Sequence, residues 1–239
     1  MSGPGGASGL IVSFPAAGHT RLAQMEKIAA RRGAAHLSLR NPASVAALQS
    51  GEWSEHCLAE AGRARAGAPG GHVLLAGHSM GGLSAVTLRA ALAARLGRPP
   101  ELLLVNTPCP DSSGRIPTMS HMKDTEIAEI LARDGFPQDL LDDEGTLAEI
   151  ADGLREDAVV ADHLAERTAS HAPLDTLHVL SARGDAFIPA ERCAAWDEHV
   201  SGDFHLTFAN GGHSLDAPLT DALARAVDAV LVRAEAGVA

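Results

Sequence analysis

The chain contains the stretch His72-Val73-Leu74-Leu75-Ala76-Gly77-His78-Ser79-Met80-Gly81. It begins with a short apolar run and is followed by a segment, 82–96, whose composition is helical. The apolar run predicts a buried strand, so Ser79 falls on a sharp turn between a strand and a helix. A turn of this kind strains the backbone of the serine and makes its hydroxyl project. The glycines at both ends of the pentapeptide let strand and helix approach without a side-chain clash. The pattern predicts a nucleophilic Ser79, with a purely structural turn as the alternative.

The rest of the chain alternates between short apolar runs and helical patterns. Besides the run before Ser79, we predict strands at 10–14, 35–39, 102–105, 176–180 and 204–208. The helical patterns cover 20–32, 42–66 with a break at Gly51, 189–200 and 217–234. Short apolar strands with helical crossovers are typical of an α/β protein with a doubly wound, mostly parallel sheet.

One segment, 111–172, interrupts this alternation. It has no strand pattern, and helices are expected at 123–132, 138–141 and 145–168. Its fifteen acidic and five basic residues account for nearly all of the net charge of −11. A helical insertion above the carboxyl ends of the strands is well placed to cover a ligand site as a lid.

The predicted organisation is therefore a flexible N-terminus (1–9), a core made of 10–110 and 173–239, and a helical lid at 111–172. Seven apolar residues of the lid have two interpretations. They line a tunnel to the site or pack the insertion onto the core: Ile127, Ile130, Leu131, Leu147, Ile150, Leu154 and Val159.

Composition excludes several classes of protein. The negative net charge argues against nucleic acid as a partner. No apolar run reaches the roughly 18 residues that a membrane span needs. The three cysteines (Cys57, Cys109 and Cys193) are scattered, which argues against a disulfide framework. Because residues 1–9 also lack a signal-peptide pattern, we predict a cytoplasmic protein.

Two further residues complete the predicted catalytic group. A serine hydroxyl needs a base to take its proton. His213, in Asn210-Gly211-Gly212-His213, directly follows the last predicted strand, so its loop reaches the sheet edge where Ser79 emerges. Asp185 follows the penultimate strand, and Asp111 is the alternative acid. Ser79, Asp185 and His213 follow the order nucleophile, acid, base. His78 neighbours the serine, but its side chain is expected on the other side of the turn.

An acyl-transfer site also needs donors for the oxyanion. The amide of Met80, directly after the serine, is one predicted donor. The loop after the first strand supplies the other, from Ala17 or alternatively Ala16.

Four motifs resemble, in order and spacing, those of type II thioesterases, the stand-alone editing hydrolases of polyketide and nonribosomal peptide assembly lines. They are Phe14-Pro15-Ala16-Ala17-Gly18, Gly77-His78-Ser79-Met80-Gly81, Ser113-Gly114-Arg115-Ile116-Pro117 and Gly211-Gly212-His213. The resemblance implies an α/β-hydrolase fold and hydrolysis of acyl thioesters on the phosphopantetheine arm of an acyl or peptidyl carrier protein. It implies neither a metal nor a diffusible cofactor.

The chain also departs from the family it resembles. His19 stands where a second glycine is usual, Gly82 where alanine is frequent, and Ser214 where phenylalanine usually follows the histidine. His19 either bonds a substrate group or packs against the lid, and Ala16 and Arg115 are further candidates for substrate contact. The alternatives left open are a carboxylester hydrolase, an acyltransferase or cyclase, and a non-hydrolytic binding or isomerising protein on the same scaffold.

Overall fold

A computed structural model of the chain describes residues 9–68, 71–110 and 119–236. Within these residues, six parallel strands form one sheet in the order β2-β1-β3-β4-β5-β6. The strands are β1 (Gly9–Phe14), β2 (Ala35–Ser38), β3 (His72–His78), β4 (Glu101–Val105), β5 (Leu174–Ala182) and β6 (Val200–Ala209). The predicted fold class is confirmed, and each predicted strand is found.

Helices cover both faces of the sheet. Those of the core are α1 (Ala23–Arg32), α2 (Val45–Ser50), α3 (Glu52–Gly67), α4 (Met80–Leu96), α8 (Ala190–Ala194) and α9 (Ala217–Ala236). Alternate residues of β1, such as Leu10 and Ile11, belong to two separate apolar clusters. The first cluster includes α3 and α4, and the second includes α1 and α9. Burial on both faces explains why the strands are continuously apolar in sequence.

Two details of the helices bear on the predictions. The expected break at Gly51 is confirmed, because α2 ends at Ser50 and Gly51 has a left-handed φ of 82° before α3 begins. The single helix predicted at 189–200 is wrong in part. The chain forms the short α8 and then a 3-10 turn (Ala195–His199). Val200 already pairs with Leu174 in the sheet, so the helical turns end one residue before the predicted end.

The insertion between β4 and β5 is helical, with α5 (Asp124–Arg133), α6 (Gln138–Leu141) and α7 (Glu144–Ala169). It has a small apolar core of its own, built around Ile127, Leu131, Leu141 and Ala151. Arg155 of α7 ties the helices together, since it donates to the Met122 carbonyl at 3.0 Å and pairs with Asp124. The domain boundaries given above stay a prediction. No helix of the described ranges is both long and apolar enough to cross a membrane.

Candidate active site

Ser79 occupies the tight turn between β3 and α4. Its backbone has φ 55° and ψ −123°, a conformation that L-residues with a side chain seldom adopt. The turn is fixed on both sides, because the Ser79 N–H donates to the Val105 carbonyl at 2.8 Å and the Ser79 carbonyl accepts from Gly82 N at 2.9 Å. The strained turn predicted from sequence is thus present. Backbone strain of this type is concentrated at functional sites.

Glycines around Ser79 are required by close backbone contacts. A Cβ on Gly77 would lie 2.2 Å from the Gly81 carbonyl oxygen, and one on Gly81 would lie 2.3 Å from the Pro15 carbonyl oxygen. The first contact brings strand and helix together backbone to backbone, as the glycine pattern predicted, and the second brings the turn against the loop after β1. A Cβ on Gly82 would lie 2.0 Å from Thr107 Oγ1. In this chain the Thr107 side chain fills the space that an alanine at 82 would need.

Asp185 and His213 meet at the carboxyl edge of the sheet. His213 Nδ1 lies 2.8 Å from Asp185 Oδ2, and the Asp185 side chain is fully buried. The other carboxylate oxygen accepts from the backbone N–H groups of Phe187 at 2.8 Å and Ile188 at 2.7 Å. These bonds leave Oδ2 aimed at the imidazole. A proton on Nδ1 satisfies that contact and leaves Nε2 free to accept a proton.

Asn106 anchors the loop that carries His213, and the sequence analysis did not predict this role. Asn106, at the end of β4, is fully buried and has a left-handed φ of 44°. Its Nδ2 donates to the carbonyl oxygens of Gly212 at 3.2 Å and His213 at 3.3 Å, while its Oδ1 accepts from Ala182 N at 2.8 Å. Asn106 therefore joins the ends of β4 and β5 to the histidine loop.

The expected orientation of His78 is wrong. The side chain is buried and approaches His213, with Nε2 2.9 Å from the His213 carbonyl oxygen and the two ring centroids 5.0 Å apart. Burial, with the nearby His213 ring as the second cause, lowers the pKa of His78 well below its usual 6.5. A neutral His78 with its proton on Nε2 donates to that carbonyl. It supports the His213 loop without placing a second positive charge beside it.

Ser79 and His213 line the same cavity, which has a volume of about 1670 Å³. Within the described residues, no hydrogen bond joins the Ser79 hydroxyl to His213. Met80, Ala16 and Ala17 also line this cavity, so both proposed oxyanion donors lie on its wall. The catalytic and oxyanion roles of these residues stay predictions.

The insertion forms the opposite wall of the cavity. Four of the seven apolar residues expected there line it: Ile130, Leu131, Ile150 and Leu154. The other three do not: Ile127 is fully buried and Leu147 packs with it in the core of the insertion, while Val159 is 42% exposed. Four of the seven therefore line the cavity, whereas Ile127 and Leu147 pack within the insertion itself and not onto the core of the protein.

The remaining substrate candidates are distributed unevenly. His19 is an exposed residue of the cavity wall, and its Nδ1 lies 3.0 Å from the Ala17 carbonyl oxygen. Ala16 is a buried part of the same wall. Arg115 and the alternative acid Asp111 lie outside the described residues. Among the described residues, no group of three His, Cys, Asp or Glu side chains is arranged to hold a metal ion.

The fold and the strained serine turn define this chain as an α/β hydrolase. Residues 23–231 match the family model of the thioesterase domain, so the chain belongs to the thioesterase family, a family of hydrolases. No significant match was found among curated protein sequences.

Solved structures of thioesterases have the same fold. The RedJ thioesterase from the prodiginine biosynthetic pathway in Streptomyces coelicolor is 23% identical, with a TM-score of 0.72 over 94% of this chain and 91% of that chain. YbtT, the type II thioesterase from the yersiniabactin NRPS/PKS biosynthetic pathway, is 21% identical, with a TM-score of 0.67 over 98% of this chain and 97% of that chain. Human thioesterase 2 is 16% identical, with a TM-score of 0.62 over 94% of this chain and 98% of that chain. At these sequence identities, the similarity shows a shared fold and nothing further.

Proposed function

We propose that the chain is a type II thioesterase that hydrolyses acyl thioesters on the phosphopantetheine arm of a carrier protein, with Ser79, Asp185 and His213 as its catalytic triad. One observation carries the proposal. Ser79 lies on a strained turn at the wall of the cavity that also contains His213, whose Nδ1 is bonded to the buried carboxylate of Asp185 at 2.8 Å. Nucleophile, base and orienting acid are the parts that serine acyl transfer needs.

The proposed reaction proceeds through an acyl-enzyme. His213 Nε2 takes the hydroxyl proton as Ser79 Oγ attacks the thioester carbonyl. The Met80 and Ala17 amides donate to the oxyanion, and the N-terminus of α4 adds a favourable dipole. The carbon–sulfur bond then breaks, and the thiol leaves with the proton from His213. His213 takes a proton from water, which attacks the ester carbonyl. The bond to Ser79 Oγ then breaks, His213 returns the proton to that oxygen, and the carboxylic acid is released.

The size of the cavity supports a substrate with two parts. Drug-sized ligands occupy pockets of roughly 300–1,000 Å³, whereas this cavity measures about 1670 Å³. Such a volume suits an acyl group together with a pantetheine arm. RedJ and YbtT, which share the fold, come from the prodiginine and yersiniabactin biosynthetic pathways, and a pathway of this kind is the setting proposed for this chain. An acyl or peptidyl carrier protein is thus the proposed partner, and the cytoplasm the proposed location.

Replacement of the nucleophile tests this proposal. Ser79→Ala should abolish the release of thiol from acyl-pantetheine thioesters, because no acyl-enzyme can form. Ser201→Ala is the matched control, since Ser201 is an exposed residue of β6 and bonds only the Leu174 carbonyl among the described residues. Retained turnover in Ser79→Ala would exclude the proposed mechanism.

The same assay separates the alternatives. A matched oxygen ester that is cleaved faster than the thioester would favour a carboxylester hydrolase. An acylated product formed from an added amine or alcohol would favour an acyltransferase. Failure of a fluorophosphonate to label Ser79 would favour a non-hydrolytic protein.

A further inference from the structure

Asp134 connects the helical insertion to the loop of His213. One carboxylate oxygen, Oδ1, accepts from the His213 backbone N–H at 2.6 Å. The other, Oδ2, accepts from the Ser214 backbone N–H at 3.0 Å and from the Ser214 hydroxyl at 2.6 Å. A single side chain of the insertion thus binds two successive residues, one of which is the proposed catalytic base.

The histidine loop has the shape that this contact requires. A Cβ on Gly212 would lie 2.6 Å from Asp134 Oδ1, so a side chain at 212 would displace the carboxylate from its present position. Ser214 supplies a hydroxyl donor in addition to its N–H. The loop therefore provides both the space and the donors for an anion at this place.

The insertion holds Asp134 in a defined position. Asp134 caps the C-terminus of α5, and its own N–H donates to the carbonyls of Ile130 and Leu131, both at 3.1 Å. Leu131 and Ile127 of the same helix are buried in the apolar core of the insertion. The carboxylate is consequently attached to the packed core of the insertion.

His213 is thus held from two sides. The core of the protein fixes its imidazole through Asp185 and its carbonyl through His78 and Asn106. The insertion fixes its N–H through Asp134. A loop that contains two adjacent glycines loses much conformational freedom on ordering, so the anchor on the N–H side has a large effect on how well the imidazole is placed.

We propose that Asp134 is a positioning residue: it orders His213 for proton transfer when the insertion is docked on the core. The proposal rests on the proposed function of His213 as the base. It links the covering of the cavity to the chemistry, because the loop is fully anchored only while the insertion is in place. Removal of the carboxylate should slow the chemical step and leave substrate affinity nearly unchanged.

Three variants test the role of Asp134. Asp134→Ala removes all three acceptor contacts and should lower kcat about 10- to 100-fold, with KM changed by less than about threefold. Asp134→Asn retains one acceptor oxygen but turns an NH2 group toward a donor, so a smaller loss is expected. Ser214→Ala removes one of the three donors and should give the smallest loss. Asp139→Asn is the control, since Asp139 is an exposed acid of the same insertion and does not line the cavity.

Labelling of Ser79 by a fluorophosphonate provides a second readout, because it needs the base but not the thioester. The labelling rate of Asp134→Ala should fall in parallel with kcat, while the final labelled fraction stays complete and shows that the protein is folded. If Asp134→Ala does not fold, Asp134→Asn is compared with Asp139→Asn in the same way.

Three results would each overturn the positioning role. They are a kcat and labelling rate within about threefold of the control, a loss confined to KM, and a loss explained wholly by a lower labelled fraction. Slower labelling in Asp134→Ala, in a protein whose wild type does not cleave thioesters, would retain the positioning role and reject the proposed substrate.

Discussion

Replacement of Asp185 by asparagine should be severe for chemistry and mild for stability. The carboxylate accepts two backbone N–H groups on Oδ1, from Phe187 and Ile188, and only Oδ2 contacts His213 Nδ1. An asparagine retains the two backbone bonds if its oxygen takes the Oδ1 position. Its NH2 group then faces Nδ1, which must become the acceptor. The histidine proton moves to Nε2, so the imidazole can no longer take the proton of Ser79.

The magnitude follows from that change of tautomer. When the geometry is kept and the tautomer is wrong, serine hydrolases lose roughly 10⁴-fold in kcat, equivalent to ~5.4 kcal/mol in the barrier. We expect a loss of this order for Asp185→Asn in steady-state hydrolysis of an acyl-pantetheine thioester, with little change in Tm. Asp111→Asn is the comparison, because Asp111 is the alternative acid in the sequence. A loss of less than about 100-fold, or a greater loss in Asp111→Asn, would refute this assignment.

Three further predictions concern stability and specificity. Burial and the neighbouring His205 ring lower the pKa of His178 to about 4 from 6.5, so the unfolded chain takes up a proton that the folded chain does not. The free energy of unfolding should therefore fall as pH drops from about 6.5 toward 4. His178→Phe should flatten the curve of Tm against pH, and an unchanged slope would contradict the role of His178. Gly82→Ala overlaps Thr107 and should cost about 1–3 kcal/mol, measured by urea unfolding, with partial recovery in the double variant with Thr107→Ala. Ala161→Leu narrows the cavity wall on α7 and should lower kcat/KM for long acyl chains about tenfold more than for acetyl, whereas equal losses would place the acyl group elsewhere.

The sheet could be predicted because its strands are buried on both faces. Leu10 and Ile11, like Leu74 and Leu75, are fully buried on opposite sides of the sheet, so each strand is a continuous apolar run that stands out in the sequence. The turn at Ser79 was predictable because its glycines are needed where two backbone segments touch, and these glycines are visible in the sequence. The segment after Pro189 was predicted as one helix, whereas 195–199 forms a 3-10 turn, and the helical pattern of the sequence does not distinguish these two kinds of helix.

The support of His213 could not be predicted, because it comes from residues that are distant in sequence and ordinary in type. Asn106 is an uncharged residue next to a strand end, and only the structure shows that its amide bridges two strand ends to the histidine loop. Asp134 lies among fifteen acidic residues of segment 111–172, and composition does not distinguish it from its neighbours. The order of Ser79, Asp185 and His213 along the chain follows from the order of the strands, and short sequence motifs indicate that order. Asn106 and Asp134 contact the histidine loop only because the whole fold packs these distant segments together.

The contacts that hold His213 come from two different parts of the molecule, the core and the insertion. His78 and Asn106 belong to the strand ends of the core, so their contacts with the carbonyl of His213 involve no residue of the insertion. Asp134 holds the N–H only from the insertion. Asp157 of α7 makes a comparable contact with the other side of the site, since it accepts from Gly18 N at 2.6 Å next to the proposed oxyanion donor Ala17. Carboxylates of the insertion thus bind both the loop of His213 and the loop after β1. Under the roles proposed for these loops, proton transfer and oxyanion binding have a common structural support in the insertion.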